Sequence, residues 1–182
     1  LLSGEETATL CAALEKLVAA EGRSTAAHPQ ELNLDGHADL RAFGDAILRA
    51  LADHELVATH FLPKGMARPV FLRMPAGTEM GWHTDPAVTG PVDGLLRSDV
   101  TALVMLSAPE DYEGGELIFD GQGEGGVKPG AGDALILSGH RIRGIRPVTK
   151  GVRLAATVAI QSVVRDAAKR DILADLARAR TL

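Results

Sequence analysis

His83 and Asp85 lie two residues apart in the segment GWHTDPAV, residues 81–88, and both carry side chains that can bind a metal. On a strand, residues i and i+2 point to the same face, so the imidazole and the carboxylate can converge on one point. Two ligands of one metal ion need this arrangement. A His-x-Asp pair is common by chance, however, so the inference depends on further ligands elsewhere in the chain.

Two residues downstream could complete such a site. His140 is the single histidine of a strand-like run, and Arg153 follows the turn PVTKG. Two histidines and one carboxylate on one face of an iron leave three positions open, as in non-haem Fe(II) oxygenases. The keto acid end of 2-oxoglutarate can fill two of them. Its far carboxylate then needs a fork-shaped cation, and arginine supplies two parallel charge-assisted bonds.

Several ordered motifs between about residues 69 and 166 resemble one family. They are GWHTDPAV, LVMLSAPEDYEGGELIF, KPGAGDALIL, RPVTKGVR and IQSVVRD. The chain resembles the iron(II)/2-oxoglutarate-dependent dioxygenase superfamily and, within it, the PKHD-type hydroxylases of the prolyl-hydroxylase branch. The resemblance implies His83 and Asp85 as iron ligands, Arg153 as the residue that holds the distal carboxylate of 2-oxoglutarate, and Fe(II), 2-oxoglutarate and O₂ as cofactors. A weaker likeness extends back to residues 22–28.

The family pattern breaks at its third ligand, a histidine ten residues before the co-substrate arginine, where this chain has Arg143. Either His140 reaches the metal through a bulge, or His83 and Asp85 hold iron alone with water completing the set. His140 and Arg143 are three residues apart, so they face opposite sides of a regular strand. A guanidinium has no lone pair to donate. A pocket-facing Arg143, as a cation replacing the third ligand, would therefore pair with Asp85 or with the carboxylate of a bound acid.

Two further departures affect the co-substrate pocket. The family typically has an asparagine and a tyrosine where Leu72 and Met74 stand, and the tyrosine hydroxyl helps to bind 2-oxoglutarate. Ala159 replaces a tryptophan that is common before the last Ile-Gln-Ser. We therefore expect a drier pocket with fewer hydrogen-bond donors.

Short apolar runs between glycines and prolines predict the strands that position these residues. The runs are RPVFLRM, DVTALVMLS, GELIFD, DALILSG, RIRGIRPV and VRLAATVAIQS. The predicted class is α+β, with a double-stranded β-helix (jelly-roll) core and helices packed on one side. One domain spans residues 1–182, with a helical part to about residue 55, a core from about 56 to 162 and a C-terminal helix at about 163–180.

Three helices are predicted around this core. Ser3 and Glu6 form a capping box at the start of the first helix, and apolar spacing predicts a second helix between His37 and Ala52. The C-terminal helix has one apolar face. Its residues are Val164, Ala168, Ile172 and Leu176.

Composition limits the possible partners. The net charge is −5 and the pI about 5.7, so neither nucleic acid nor an acidic bilayer is attracted. No run approaches the roughly 18 apolar residues of a membrane span. Residues 1–10 lack a secretory pattern, which makes a cytoplasmic location the expectation. Cys11 is the only cysteine and is expected to be a small buried residue, and the oligomeric state stays open.

The sequence favours an enzyme, an Fe(II)/2-oxoglutarate-dependent dioxygenase with an atypical metal site. It would carry out hydroxylase-type oxidation of a small-molecule or amino-acid-like substrate. The alternative is a jelly-roll binding or regulatory module with a degenerate metal site, and a cupin-like isomerase or hydrolase is a third possibility. A loop at residues 86–98 is expected at the pocket edge. The remaining histidines are expected to be exposed or capping: His28, His37, His54 and His60.

Overall fold

The computed structural model describes residues 1–21, 29–32, 38–123 and 125–180. Residues 22–28, with their weak family likeness, and His37 lie outside this part. The helices are α1 (Gly4–Glu21), α2 (Ala38–Asp53) and α3 (Ala167–Ala179). The strands are β1 (Gln30–Leu32), β2 (Pro63–Met66), β3 (Val70–Pro75), β4 (Met80–His83), β5 (Val88–Thr89), β6 (Leu96–Arg97), β7 (Val100–Met105), β8 (Tyr112–Gly114), β9 (Leu117–Phe119), β10 (Ala134–Ser138), β11 (Arg143–Ile145) and β12 (Val148–Ser162).

Two antiparallel sheets form the core. The large sheet has the order β1-β3-β12-β7-β10, and β2 and β8 pair with the two ends of β12. The small sheet has the order β4-β11-β9, and β5 and β6 form a separate hairpin. The fold is the predicted α+β class, a double-stranded β-helix with helices on the outside of the large sheet. All six predicted strand runs are strands.

Period-two alternation gives the large sheet two buried faces. On β12, the even-numbered positions from Leu154 to Ile160 pack in one apolar cluster with the helices. The odd-numbered positions from Arg153 to Ala159 face the space between the sheets. On β7, Thr101 and Leu103 face this inner space, while Ala102 and Val104 face the helices. Small residues dominate β12 because each of its sides contacts packed neighbours.

The helices cover the outer face of the large sheet. Leu10 and Leu14 of α1 and Ile47 and Leu51 of α2 are almost fully buried there. The predicted capping box begins α1, because the backbone N–H of Ser3 donates to Glu6 Oε2 at 2.8 Å and that of Glu6 donates to Ser3 Oγ at 3.3 Å. Among the helices of the described ranges, none combines the length and apolar character needed to span a bilayer.

Three details differ from the sequence predictions. Strand β1 lies inside the part predicted to be helical. Strand β12 already begins at Val148, so Arg153 lies within a strand rather than at its start. The predicted apolar face of α3 is wrong as a packing face, because Ile172 and Leu176 are more than half exposed.

Helix α3 is held through other residues. Arg170 is buried and donates through Nη1 to the carbonyl oxygens of Val164 and Arg165. Asp171 contacts His60 Nε2 at 3.0 Å, which ties α3 to the π-helical turn Val57–Phe61. Polar contacts therefore decide which side of α3 packs against the rest of the protein. The spacing of apolar residues along the helix does not decide it.

The reactivity of the Cys11 thiol depends on the packing of α1 against the sheet. Its Sγ donates to the carbonyl oxygen of Leu106 at 3.3 Å. Burial, with the negative charges of Asp111 and Glu15, raises the thiol pKa from 9.0 to about 11. Because a raised pKa removes thiolate, we expect alkylation of the native protein at pH 8 to be about 100-fold slower than that of an ordinary cysteine.

Timed iodoacetamide labelling with mass spectrometry measures this rate. The Cys11→Ala/Ala8→Cys double variant is the control, because Ala8 is an exposed position on the same helix. Equal rates for the two proteins would show that α1 does not stay docked on the sheet.

Candidate active site

A cavity of about 370 Å³ lies between the two sheets. Inward positions of β3, β7 and β12 form one wall, and β4, β9 and β11 form the other. The lining surface is mainly apolar, and its apolar residues include Leu72, Met80, Leu103, Leu117 and Ile145. Its polar side chains include His83, Asp85, Thr101 and Arg143. A largely apolar cavity with a few convergent polar groups is typical of a small-molecule site.

His83 ends β4 and is half-buried at the cavity wall. Its Nδ1 lies 2.7 Å from the carbonyl oxygen of Gly81. A carbonyl can only accept, so Nδ1 carries the proton and Nε2 keeps its lone pair in the neutral ring. Nε2 is therefore the nitrogen that can bind a metal or accept a hydrogen bond.

Asp85 reaches the same cavity from the loop after β4. Its backbone N–H donates to the carbonyl oxygen of Gly139 at 3.1 Å. Its carboxylate is only 17% exposed, and both oxygens are engaged. Oδ2 accepts from the hydroxyl of Thr101, and Oδ1 accepts from Nη2 of Arg143. The two-residue spacing brings His83 and Asp85 to one cavity, although Asp85 lies past the end of the strand.

Arg143 lies directly opposite His83 in the pairing of β11 with β4, so the two side chains share a face. Only 5% of the residue is exposed. Nη2 donates to Asp85, and Nη1 is buried without a hydrogen-bond partner among the described residues. The guanidinium thus lies in the cavity and forms an ion pair with the acid of the candidate metal pair.

His140 is not brought to this cavity. It lies exposed on the turn between β10 and β11, with Ser138 Oγ 2.8 Å from its Nδ1. The pairing of β11 with β4 is irregular between Arg143 and Ile145. This irregularity comes after His140 in the chain and does not include it. The bulge that would turn His140 inward is therefore absent from the described strands.

Arg153 lies deeper on the inner face, where it is 1% exposed. Its Nη1 and Nη2 lie 3.8 and 3.5 Å from the sulfur atoms of Met74 and Met105. Nε has no partner, and no carboxylate of the described residues pairs with this guanidinium. Burial lowers the pKa of Arg153 from its ordinary value, and neighbouring Tyr112 opposes that shift. A buried cation without an anion is costly, which indicates a binding position for an acid.

Tyr112 adds a donor that sequence reasoning did not assign. It is 3% exposed, and its hydroxyl lies near the Arg153 guanidinium without a well-formed hydrogen bond to any described residue. Burial raises the pKa of this phenol, against the effect of Arg153, so it stays protonated and able to donate. The residue falls in the EDYEGGE part of a family motif, and its place in that motif assigns it no role. Only its burial beside Arg153 identifies it as a donor for the site.

Gly115 makes room for both side chains. Its φ is +69°, and a Cβ there would lie 2.9 Å from Tyr112 Cε2 and 3.1 Å from Arg153 Cδ. Glycine is thus required for its backbone conformation and for space.

The chain is similar to known proteins in sequence and in fold. Residues 69–161 match the family model of the 2OG-Fe(II) oxygenase superfamily. The chain is 38% identical over 182 residues to a PKHD-type hydroxylase of Stenotrophomonas maltophilia strain K279a, covering 95% of this chain and 80% of that protein. It is 34% identical over 184 residues to the PKHD-type hydroxylase YbiX of Escherichia coli O1:K1, covering 97% and 82%.

The chain belongs to the 2OG-Fe(II) oxygenase superfamily. By this membership it is an enzyme. The fold also matches the viral collagen prolyl hydroxylase of Paramecium bursaria Chlorella virus 1 in its 2-oxoglutarate complex. The TM-score is 0.59 at 20% identity, with coverage of 90% of this chain and 92% of that one.

The residues of this oxygenase fit 2-oxoglutarate better than they fit Fe(II). The unpaired Nε of Arg153 and the unpaired hydroxyl of Tyr112 fit a carboxylate of 2-oxoglutarate. For Fe(II), His83 Nε2 and Asp85 are two donors. No group of three His, Cys, Asp or Glu side chains arranged for a metal occurs in the described part of the chain. The residues therefore do not fit a three-ligand iron site.

Removing the buried charge of Arg153 should raise the stability of the oxygenase and abolish its binding of 2-oxoglutarate. Arg153→Met replaces an uncompensated cation with an apolar side chain of similar length. We expect the free energy of unfolding without ligand to rise by about 1–3 kcal/mol, while stabilisation by 2-oxoglutarate disappears. Urea unfolding and thermal shift measure the two effects.

Arg41→Met, at an exposed position of α2, is the matched control and should change neither quantity. A large loss of stability in Arg153→Met would instead mean that Arg153 has a structural partner.

Gly115→Ala tests the space that the acid site requires. Gly121→Ala is the matched control, since Gly121 has a φ of +77° and nothing within 4 Å of its Cβ position. Both variants carry the left-handed penalty of about 1–2 kcal/mol. Only Gly115→Ala displaces Tyr112 and Arg153, so we expect only this variant to weaken 2-oxoglutarate binding, measured by titration calorimetry. Equal affinities in the two variants would contradict this role.

Proposed function

We propose that the protein is an Fe(II)- and 2-oxoglutarate-dependent oxygenase of the hydroxylase type with an atypical metal site. The single observation that carries the proposal is Arg153, a fully buried cation on the inner face of the large sheet with no anion beside it among the described residues. Such a charge is stabilised when an acid binds beside it. Within this family, 2-oxoglutarate is the acid that fits.

The chain's own residues bind and orient in this proposal. Arg153 holds the far carboxylate of 2-oxoglutarate, and the Tyr112 hydroxyl is a second donor to it. Tyr112 thereby takes over from the family tyrosine that Met74 replaces. The apolar walls exclude water from the bound acid, which strengthens each charged hydrogen bond.

The atypical metal site consists of His83 and Asp85 as the two protein ligands. The hydrogen bond from Nδ1 to Gly81 supports this role, because it leaves Nε2 free as a ligand. Fe(II), when bound, supplies the oxygen chemistry of the family. Arg143 opposes its binding, since a metal at Asp85 must compete with the guanidinium for Oδ1. We therefore expect weaker iron binding than a set of two histidines and one carboxylate gives.

The proposed substrate is a small molecule or an amino-acid derivative. The cavity volume of about 370 Å³ suits a ligand of that size. Pro86, Thr89 and Ser98 bring the loop of residues 86–98 to the cavity edge, where it can contact such a substrate. The net charge of −5 makes nucleic acid an unsuitable partner.

The test is anaerobic addition of Fe(II) and 2-oxoglutarate. We expect the visible charge-transfer band of the chelate, and formation of succinate when air is admitted. Asp85→Asn should abolish both signals, because a neutral amide is a poorer iron ligand. Asp93→Asn removes an exposed acid from the neighbouring loop and should leave both unchanged. A folded wild-type protein that gives neither band nor succinate would refute the oxygenase proposal.

One observation favours a second candidate, a binding or regulatory module with a degenerate metal site. Arg143 forms an ion pair with Asp85, so a fixed positive charge already lies where a metal would bind the carboxylate. In such a module, wild type binds no Fe(II) and Arg143→His creates binding. In the oxygenase, wild type already binds Fe(II), and Arg143→His tightens it. Anaerobic iron titration of the two proteins distinguishes the candidates.

A further inference from the structure

We propose that Arg143 is a second acid-binding group, which holds the near carboxylate of a small dicarboxylic acid whose far carboxylate lies on Arg153. Two guanidiniums then hold the acid at its two ends, and no metal is needed for it to bind. This inference rests on the acid-binding half of the proposed function and is independent of iron.

The unpaired Nη1 of Arg143 is the primary observation. Arg143 lines the cavity at 5% exposure, so this N–H group is shielded from bulk water. Asp85 uses Nη2 only. A buried donor without an acceptor is unfavourable, and a charged donor is more so. An acceptor oxygen from a ligand removes that cost, and a carboxylate oxygen forms the strongest such bond.

The second observation is that Arg153 packs directly behind the apolar wall of the cavity that Arg143 lines. Arg153 contacts Met74 and Met105, which belong to the apolar cluster that includes Leu103, Leu117 and Ile145. The last three residues also line the cavity beside Arg143. A ligand that enters between these apolar side chains and contacts both cations therefore has a short apolar middle between two acidic ends. A dicarboxylic acid of about five carbons, such as 2-oxoglutarate, has this form.

The two ends are held unequally. Asp85 already neutralises Arg143, so the near carboxylate joins a neutral ion pair and gains a hydrogen bond at Nη1 rather than a net charge. Arg153 has no acidic partner in the described structure and offers its full charge to the far carboxylate. Loss of Arg153 should therefore weaken binding more than loss of Arg143.

The experiment compares two ligands in EDTA-treated protein by titration calorimetry. 2-Oxoglutarate carries both carboxylates. In 4-oxopentanoate a methyl group replaces the near carboxylate, while the ketone and the far carboxylate are kept. We expect wild type to bind 2-oxoglutarate about tenfold more tightly than 4-oxopentanoate without metal, the effect of one charged hydrogen bond.

The Arg143→Met/Asp85→Asn double variant should reduce this ratio to about one. It removes the pair together, so no unpaired buried charge is left to prevent folding, and thermal unfolding verifies the fold. Loss of the negative charge of Asp85 alone would strengthen the binding of an acid. A lower ratio of the affinities for 2-oxoglutarate and 4-oxopentanoate therefore cannot come from the Asp85 substitution. Arg141→Met, at an exposed position two residues before Arg143, should keep the tenfold ratio.

Each other outcome is decisive. A ratio of about one in wild type, or one that the double variant leaves unchanged, overturns the role of Arg143 and leaves Arg153 as the only acid anchor. Binding of 2-oxoglutarate only after Fe(II) is added under argon also overturns the inference, while it supports the proposed oxygenase. No binding with or without Fe(II) overturns both.

Discussion

The alternation of side chains along β7 and β12 is the constraint on which the cavity depends. Each strand is buried on both faces, so every second residue supports the helices and the residues between them build the interior. A shift of one residue would exchange these two sets. Arg153 would then face the helices, and Thr101 would leave Asp85. The outer apolar cluster thus fixes the register that places the polar groups of the site.

Arg143 determines the chemistry of the interior beside His83 and Asp85. It occupies a position opposite His83 and meets Asp85 with a delocalised positive charge. A metal ion in this place would bind through empty coordination positions, whereas the guanidinium offers only N–H donors in a planar fork. The interior consequently has one buried ion pair at the cavity, Arg143 with Asp85, and a second buried cation, Arg153, behind its wall. These cations favour ligands with acceptor oxygens. Only two side chains of the described site, His83 and Asp85, can donate to a metal.

Much of the fold was accessible from the sequence, because glycines and prolines separate the apolar runs and because Ser3 and Glu6 mark a helix start. The roles of His83, Asp85 and Arg153 are still predictions, although the fold brings the first two to one cavity and buries the third beneath its wall. The orientation of Arg143 could not be derived. A lone arginine in a strand is usually exposed, and only the register with β4 shows that it points inward. Tyr112 was missed for a related reason. Whether its hydroxyl has a hydrogen-bond partner depends on the residues that pack around it, and the sequence does not show which these are. The packing side of α3 failed because the Arg170 contacts, rather than the apolar stripe, decide it.

Strand β12 also determines when the molecule can assemble. It pairs with β2, β3, β7 and β8, and it comes after all of them in the chain. During synthesis the ribosome releases the outer helices and most inner strands before their shared central partner exists. Sheet closure must therefore wait until residues 148–162 have emerged, and until then the exposed strand edges and apolar helix faces are open to association with other chains. A late central strand therefore delays sheet closure and gives chaperones a defined period in which to act.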